Sequence, residues 1–222
     1  SIHTSYEWCF CNGKFKIMIK LKDLLTLREL AYTDKIKPKH KKKMSREPKM
    51  LDINTFVKLP PPPDNDSNVT LGEIKYLASI EPDVTRVKEG DDIAEVFKKE
   101  IEHLDPKLKT DIDILIKDSV RYIMEIKYHY NRPRPFQIAN FYGIDLNGTE
   151  LDSMKTPSYP SGHATQGYLI GEYLALKDPK HAVHYRDVGE EIAESRIIAK
   201  AHYESDKSGG KKLAEQLMKF LS

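Results

Sequence analysis

Two histidines, one aspartate and three basic residues between positions 127 and 206 have the types and spacing of a reacting site. Asp206 follows His202 by four residues. At helical spacing a carboxylate one turn on reaches the imidazole, and an imidazole held by a carboxylate is an oriented base or nucleophile. His163 ends the segment Ser158-Tyr-Pro-Ser-Gly-His163. There, proline and glycine make a turn into a helix whose first backbone N–H groups, from Ser161 and Gly162 onward, have no partner within the helix. Lys127, Arg134 and Arg196 add three cations. Brought together, these groups would bind a tetrahedral oxyanion, phosphate first. Each has a plainer reading alone. Lys127 can snorkel to the surface, and Arg132 and Arg134 can be ordinary loop charges. Ser161 can be a helix cap beside an incidental histidine, and His202 with Asp206 a buried polar pair.

The elements that must position these residues are helices whose apolar stripes turn polar at one end. Val188, Ile192, Ser195, Ala199, His202 and Asp206 recur at steps of four and three, which reads as one continuous amphipathic helix. Ile112, Ile116, Val120 and Ile123 lead in the same way to Lys127 on a helix begun after Pro106. The run Asn131-Arg-Pro-Arg-Pro-Phe136 then ends that helix and stiffens an extended arm. His163, Gly167, Ile170 and Leu174 make a third stripe. Thr70-Leu-Gly-Glu73 has the form of a capping box and opens a helix to about Ile80. Another helix follows Gly90, with Ile93, Phe97, Ile101 and Leu104 on one side. No strand pattern competes over residues 64–222, so the expected fold is all-α, a compact helical bundle.

The totals fit such a domain. The chain has 222 residues, 32% of them charged and 39% hydrophobic. No apolar run approaches the ~20 residues of a membrane span. The formal charge of +2 divides unevenly, into +8 over residues 1–50 and −6 over the rest. Residues 1–50 therefore read as a basic N-terminal leader, and 51–222 as the main domain. Within the leader, Phe15, Ile17 and Ile19 alternate like an edge strand. Lys35 to Lys43 is a basic run broken by Pro38, read as a solvated tail able to dock on an anionic surface. Leu59-Pro-Pro-Pro-Pro63 reads as an extended strap. Cys9 and Cys11 are too close for an easy mutual disulfide, and no signal peptide is visible at the start. Asp178, His181 and His184 read as polar loop residues rather than metal ligands. Tyr128, Phe136, Phe141, Tyr142 and Tyr159 are candidates for the rim of the site.

The order Lys127-X6-Arg134-Pro135, then Pro160-Ser-Gly-His163, then Ser195-Arg196-X5-His202-X3-Asp206 resembles the three-part signature of the type 2 phosphatidic acid phosphatase superfamily. With gaps of 24 and 31 residues it is most similar to the soluble bacterial class A nonspecific acid phosphatases. The likeness runs from about Leu59 to the C terminus and leaves out residues 1–50. It implies the helical bundle shared by these phosphatases and the vanadium haloperoxidases. It also implies a metal-free acid phosphatase that cleaves small phosphate monoesters through a phosphohistidine. His202 would be the nucleophile, Asp206 its orienting partner and His163 the general acid and base. Lys127, Arg134 and Arg196, with the amides of Ser161 and Gly162, would hold the phosphoryl oxygens. No cofactor is implied, although vanadate could fill the phosphate site. No nucleic-acid partner is expected. The family suggests homo-oligomers and a periplasmic or secreted address. Rival readings at this point are a vanadium-dependent haloperoxidase, a silent phosphate- or polyanion-binding module and, third, a lipid phosphatase, against which the lack of a long apolar run speaks.

Overall fold

The computed structural model describes residues 8–10, 17–19, 21–33, 35–51 and 57–221. Cys11 and Phe15 lie outside them. A short antiparallel pair, β1 (Trp8–Phe10) and β2 (Ile17–Ile19), comes first. Among the described residues the regular elements after it are helices: α1 (Leu21–Glu29), α2 (Pro38–Met44), α3 (Asn68–Ser79), α4 (Val84–Glu89) and α5 (Ile93–Glu100). Then come α6 (Lys107–Tyr130), α7 (Pro135–Phe141), α8 (Gly162–Lys177), α9 (Ala182–Ile198) and α10 (Glu204–Met218). The all-α expectation stands. No helix among the described residues is long and apolar enough to cross a membrane.

Polar side chains set several helix starts. Ser67, Asp83, Asp92 and Ser161 each accept an N–H from the first turn of α3, α4, α5 and α8. The capping box read at Thr70 and Glu73 is displaced: Ser67 Oγ takes the Thr70 N–H at 3.2 Å. Glu73 is thereby released for another task, described below. Helix α4 was not anticipated, because its six residues carry one buried side chain, Val87, too little for a periodic signal.

The centre of the fold is α8, which packs on α9, α10 and α6. Helices α8 and α9 touch backbone to backbone where Gly167 meets Gly189. A Cβ on Gly167 would stand 2.9 Å from the Gly189 carbonyl oxygen, and one on Gly189 2.6 Å from that of Gly167. The main core gathers Ile112, Leu115, Leu169, Leu174, Ile192 and Leu213, among others, around this crossing. On α6 the buried stripe passes through Ile112, Leu115, Ser119, Ile123 and Lys127, so Lys127 sits at its inner end.

Two larger sequence expectations are also corrected. The stripe Val188 to Asp206 is not one helix. Helix α9 stops at Ile198, Lys200 adopts φ +58°, and α10 begins at Glu204. The Lys200 and Ala201 N–H groups donate back to Ile197 and Arg196 carbonyls, closing the end of α9. Lysine seldom takes the left-handed conformation, so spacing alone does not mark the break. The second correction concerns residues 35–43. Their basic run is not a free tail, because α2 packs on α6 and His40 is 3% exposed. Both flanks of α2 are tied down. Asn131 Nδ2 donates to the Thr33 carbonyl at 2.6 Å, and Asp118 accepts the N–H groups of Lys49 and Met50 at 2.7 Å.

The proline strap is held as expected of an extended segment. Tyr130 and Tyr159 hydroxyls donate to the Leu59 and Pro60 carbonyls at 2.5 and 2.8 Å. His184 belongs to the first turn of α9 rather than to a loop.

Candidate active site

The link between α9 and α10, the start of α8, the end of α6, the arm after it, the 152–156 segment and α2 converge on one cavity of about 280 Å3. Lys127, Arg134, Gly162, His163 and His202 line it. Asp206 is fully buried behind His202.

His202 lies in the link between α9 and α10, 2% exposed. Its Nδ1 faces Asp206 Oδ2 at 3.1 Å and its Nε2 faces Arg134 Nη1 at 2.9 Å. A carboxylate accepts and a guanidinium donates. The ring therefore carries its proton on Nδ1 and turns the Nε2 lone pair toward Arg134 and the cavity. Burial and the nearby Arg134 charge hold this imidazole well below its ordinary range, against the opposing pull of Asp206. A lowered imidazole favours the neutral ring, with its lone pair available.

Asp206 accepts more than the ring. Arg132 Nη1 donates at 2.7 Å and the Tyr203 N–H at 3.1 Å, and the Ser158 hydroxyl donates as well. Burial alone would raise this carboxyl, but the Arg132 charge and the hydrogen bonds from His202 and Ser158 hold it far below the usual carboxylate range. Arg132 is not a loose loop charge: it is 2% exposed, lies over the Tyr203 ring at 3.9 Å and also meets Glu73 at 3.2 Å. Glu73 in turn accepts the Ser205 N–H at 2.6 Å and so ties α3 to the start of α10.

In the extended arm, residues two apart face the same way and neighbours face apart. Here Arg132 nevertheless turns to Asp206 while Arg134 turns to the cavity. Every Arg134 donor nitrogen is occupied: Nε by the Thr156 carbonyl, Nη1 by the Ala201 carbonyl and His202, Nη2 by Ser153 and Thr156. Lys127 Nζ donates to the Pro157 and Ser158 carbonyls at 2.5 and 3.0 Å. Burial lowers Lys127 well below its ordinary range, with the Arg134 charge adding to the effect. Burial likewise lowers Arg134, to about 10.

His163 sits in the first turn of α8. Its Nε2 is 3.2 Å from the Asp91 carbonyl oxygen and 3.5 Å from Asp91 Oδ1. Burial lowers the imidazole, while the hydrogen bond with Asp91 works in the opposite direction. Arg196 does not line the cavity. It is fully buried and spends its donors on Ser195 Oγ, the Val87 carbonyl and Asp91 Oδ1, the last at 2.6 Å. Asp91 therefore joins Arg196 to His163, and the hydrogen bond from His163 is the first cause that lowers its carboxyl, to about 2.

The amide expected to be free at Ser161 is used: it donates to the Asp206 carbonyl at 3.0 Å. This bond locks the start of α8 to α10, and Ser161 Oγ caps α8. The N–H groups of Gly162 and His163 have no acceptor among the described residues. None of Tyr128, Phe136, Phe141, Tyr142 and Tyr159 lines the cavity; Lys39, His40, Lys43 and Lys155 stand there instead. Phe136 is exposed, Tyr142 belongs to a separate apolar cluster, and Tyr159 reaches the proline strap. Asp91, Arg132, Glu73, Lys39 and Lys43 are residues at or around the cavity that sequence reasoning missed.

Outside the cavity, His103, Asp178 and His181 bring ligand atoms within 4.8 Å of one another. His184 is not part of this group and pairs with Glu100 at 2.6 Å.

No family model matches the chain. A non-specific acid phosphatase of Salmonella typhimurium is 27% identical over 175 residues, covering 72% of this chain and 70% of the relative. The non-specific acid phosphatase of Providencia stuartii is 28% identical over 69% of this chain and 68% of its own length. An acid phosphatase of Zymomonas mobilis is 36% identical over 43% of this chain and 38% of its length. Among solved structures, a bacterial vanadium-dependent iodoperoxidase superposes with a TM-score of 0.58 at 18% identity. That match covers 74% of this chain and 51% of the peroxidase, so the chain spans about half the peroxidase's length.

Proposed function

We propose, from the premise that this chain is a relative of the bacterial non-specific acid phosphatases within the type 2 phosphatidic acid phosphatase superfamily, that it hydrolyses phosphate monoesters through a phosphohistidine and without a metal ion. The observation that carries the reading is the His202 ring, fixed by Asp206 at Nδ1 with Nε2 facing a cavity that His163 also lines.

The phosphoryl group enters beside Nε2, and Arg134 Nη1 transfers its hydrogen bond from the ring to a phosphoryl oxygen. Lys127, Arg134 and the free amides of Gly162 and His163 then hold the equatorial oxygens. Arg196 joins them once Asp91 yields it. Nε2 attacks phosphorus in line, the N–P bond forms, and the ester P–O bond breaks. His163 gives its proton to the departing alcohol oxygen. As Nε2 gains a bond the imidazole becomes cationic, and Asp206 stabilises that charge. In the second half His163 takes a proton from water, the resulting hydroxide attacks phosphorus, and the N–P bond breaks. The positive surroundings act mainly on the transition state, where charge spreads over the equatorial oxygens. Residues 51–222 form the catalytic unit in this reading and residues 1–50 an accessory to it. A periplasmic or secreted address and self-association belong to the same proposal.

The test uses p-nitrophenyl phosphate and an acid- or alkali-quenched reaction with phosphorus-labelled substrate. His202→Ala and His163→Ala should each lose roughly a thousandfold in turnover or more with melting temperature retained. The wild-type protein should trap an alkali-stable, acid-labile phosphoenzyme that His202→Ala lacks. Near wild-type turnover in both folded variants rejects the assignment. Vanadate should inhibit as a mimic of the trigonal-bipyramidal state. Peroxide-dependent bromide oxidation by the vanadate-loaded protein, without phosphatase turnover, would move the reading to a haloperoxidase.

A further inference from the structure

Part of the wall of the cavity comes from α2, in the part of the chain that the family resemblance does not reach. Lys39, His40 and Lys43 line the opening from that helix, and Lys155 lines it from the turn before α8. Lys39 and Lys43 are one helical turn apart and share a face. Like charges at this spacing oppose helix formation unless an anion lies between or before them.

Lys155 has Asp152 as a partner. Neither Lys39 nor Lys43 has a carboxylate within ion-pair distance among the described residues. Asp152 also lines the cavity and feels the Lys39 charge, but one carboxylate against Lys39, Lys43 and Lys155 leaves a positive excess beyond the cations assigned to the phosphoryl group.

This wall is positioned rather than loose. His40 is 3% exposed and hydrogen-bonds the Tyr128 hydroxyl on α6. Tyr32 donates to the Met154 carbonyl at 2.9 Å, binding the approach to α2 to the segment that carries Lys155. On the other side, Asp118 holds the backbone of Lys49 and Met50. Ordering a seven-residue helix with four lysines at the mouth of an anion site gains little from apolar burial. Its evident product is a pair of exposed lysines, one turn apart, on the wall of a cavity that Lys127, Arg134 and His202 also line.

We propose that Lys39 and Lys43 form a second anion subsite, and that the substrate is a small phosphate monoester bearing another phosphoryl or carboxylate group at its far end. This rests on the phosphatase reading for the fate of the first phosphoryl group, but the subsite itself is a binding property.

The test therefore separates binding from turnover. Calorimetry on the full chain compares methylphosphonate with a series of alkane-α,ω-bisphosphonates, whose P–C bonds are not cleaved. Three proteins are used: wild type, Lys39→Gln/Lys43→Gln, and Lys41→Gln/Lys42→Gln. The third removes the same charge from the same helix at positions that do not line the cavity. A bisphosphonate of matching span should bind the wild type roughly tenfold more tightly than methylphosphonate. Lys39→Gln/Lys43→Gln should abolish that advantage and leave methylphosphonate affinity within about twofold. Lys41→Gln/Lys42→Gln should retain it. No advantage at any span, or equal weakening in both double variants, overturns the subsite. Hydrolysis of p-nitrophenyl phosphate by the same wild-type preparation is the separate check. Turnover without a bisphosphonate advantage removes the subsite and keeps the reaction; the advantage without turnover keeps the subsite and removes the reaction.

Discussion

Asp206→Asn separates what the carboxylate does for the fold from what it does for the ring. The wild-type group is fully buried and accepts from Arg132, Ser158, His202 and the Tyr203 N–H. An amide keeps the volume and one acceptor, but it removes the charge and points an N–H₂ at donors. Arg132, 2% exposed, is then left with Glu73 at 3.2 Å as its counter-ion. Removing one member of a buried ion pair typically costs ~3–5 kcal/mol, and Glu73 keeps the loss toward the lower figure. For a chain of this size ~3 kcal/mol corresponds to a fall of about 6–12 °C in Tm. The pH dependence carries the sign. The folded-state carboxyl is depressed, so on acidification the unfolded chain binds the proton first, near pH ~3.9. The stabilisation is complete above about pH 5 and declines by ~1.4 kcal/mol per unit below ~3.9. Urea unfolding of both proteins, followed by circular dichroism from about pH 3 to 7, reads the difference directly. It should be flat above about pH 5 and shrink below ~3.9. In the same preparations kcat should fall far more than KM changes, because Asp206 acts on the ring and not on the bound phosphoryl group. A difference under ~1 kcal/mol at pH 6, or one that does not change down to pH 3, refutes the charged anchor.

Three further outcomes follow from the same geometry. Both imidazoles are lowered from their ordinary value, His202 the more strongly; the nucleophile must be neutral and the acid protonated, so the pH profile of kcat/KM should be a bell centred below about 6.5, and a maximum above about pH 7 contradicts this. Asp91→Ala removes the hydrogen bond that raises His163, so the alkaline limb of that profile should move to lower pH, which a pH–rate titration of the variant measures. In Gly210→Ala the new methyl would lie 2.9 Å from both the Ala164 Cβ and the Ser161 carbonyl oxygen; separating α10 from α8 should cost ~1–3 kcal/mol in urea unfolding and lower kcat with it, since His163 and Asp206 stand at the starts of those two helices.

What could be read in the chain and what could not divides along one physical line. Where a helix buries an apolar face, as α6, α8 and α9 do, the period is visible and the polar residue that ends it stands out. Lys127, His163 and the approach to His202 were found in this way. The break at Lys200 was invisible, because the apolar spacing continues through a turn that reverses the chain. Glu73 fits a capping box by type and spacing, and only the position of Ser205 shows that its carboxylate is used elsewhere. Arg132 and Arg134 are indistinguishable by neighbours, since each precedes a proline, and their separate roles come from what α10 and the 152–158 segment present to each. Helix α2 buries one histidine among lysines, a pattern in which hydrophobic periodicity has nothing to register.

The distribution of counter-ions, more than the presence of cations, is what gives this cavity its chemistry. Arg132 has Asp206 and Glu73; Arg196 has Asp91. Lys127 and Arg134 have no carboxylate within ion-pair distance among the described residues, and both are held by neutral acceptors, carbonyl oxygens foremost. Such acceptors satisfy the N–H donors but leave the charge uncompensated in a medium that penalises it. The lowered Lys127 and Arg134 record that penalty. In the proposed reaction a phosphoryl dianion entering the cavity would supply the missing charge, and each shift it reversed would strengthen its own binding. Carbonyls also release a cation more readily than a carboxylate would, so Arg134 can pass from the His202 ring to a phosphoryl oxygen without breaking an ion pair. Arg196 cannot do so while Asp91 holds it, so in the proposed reaction the anion must displace an ion pair there in addition to the Arg134–His202 hydrogen bond.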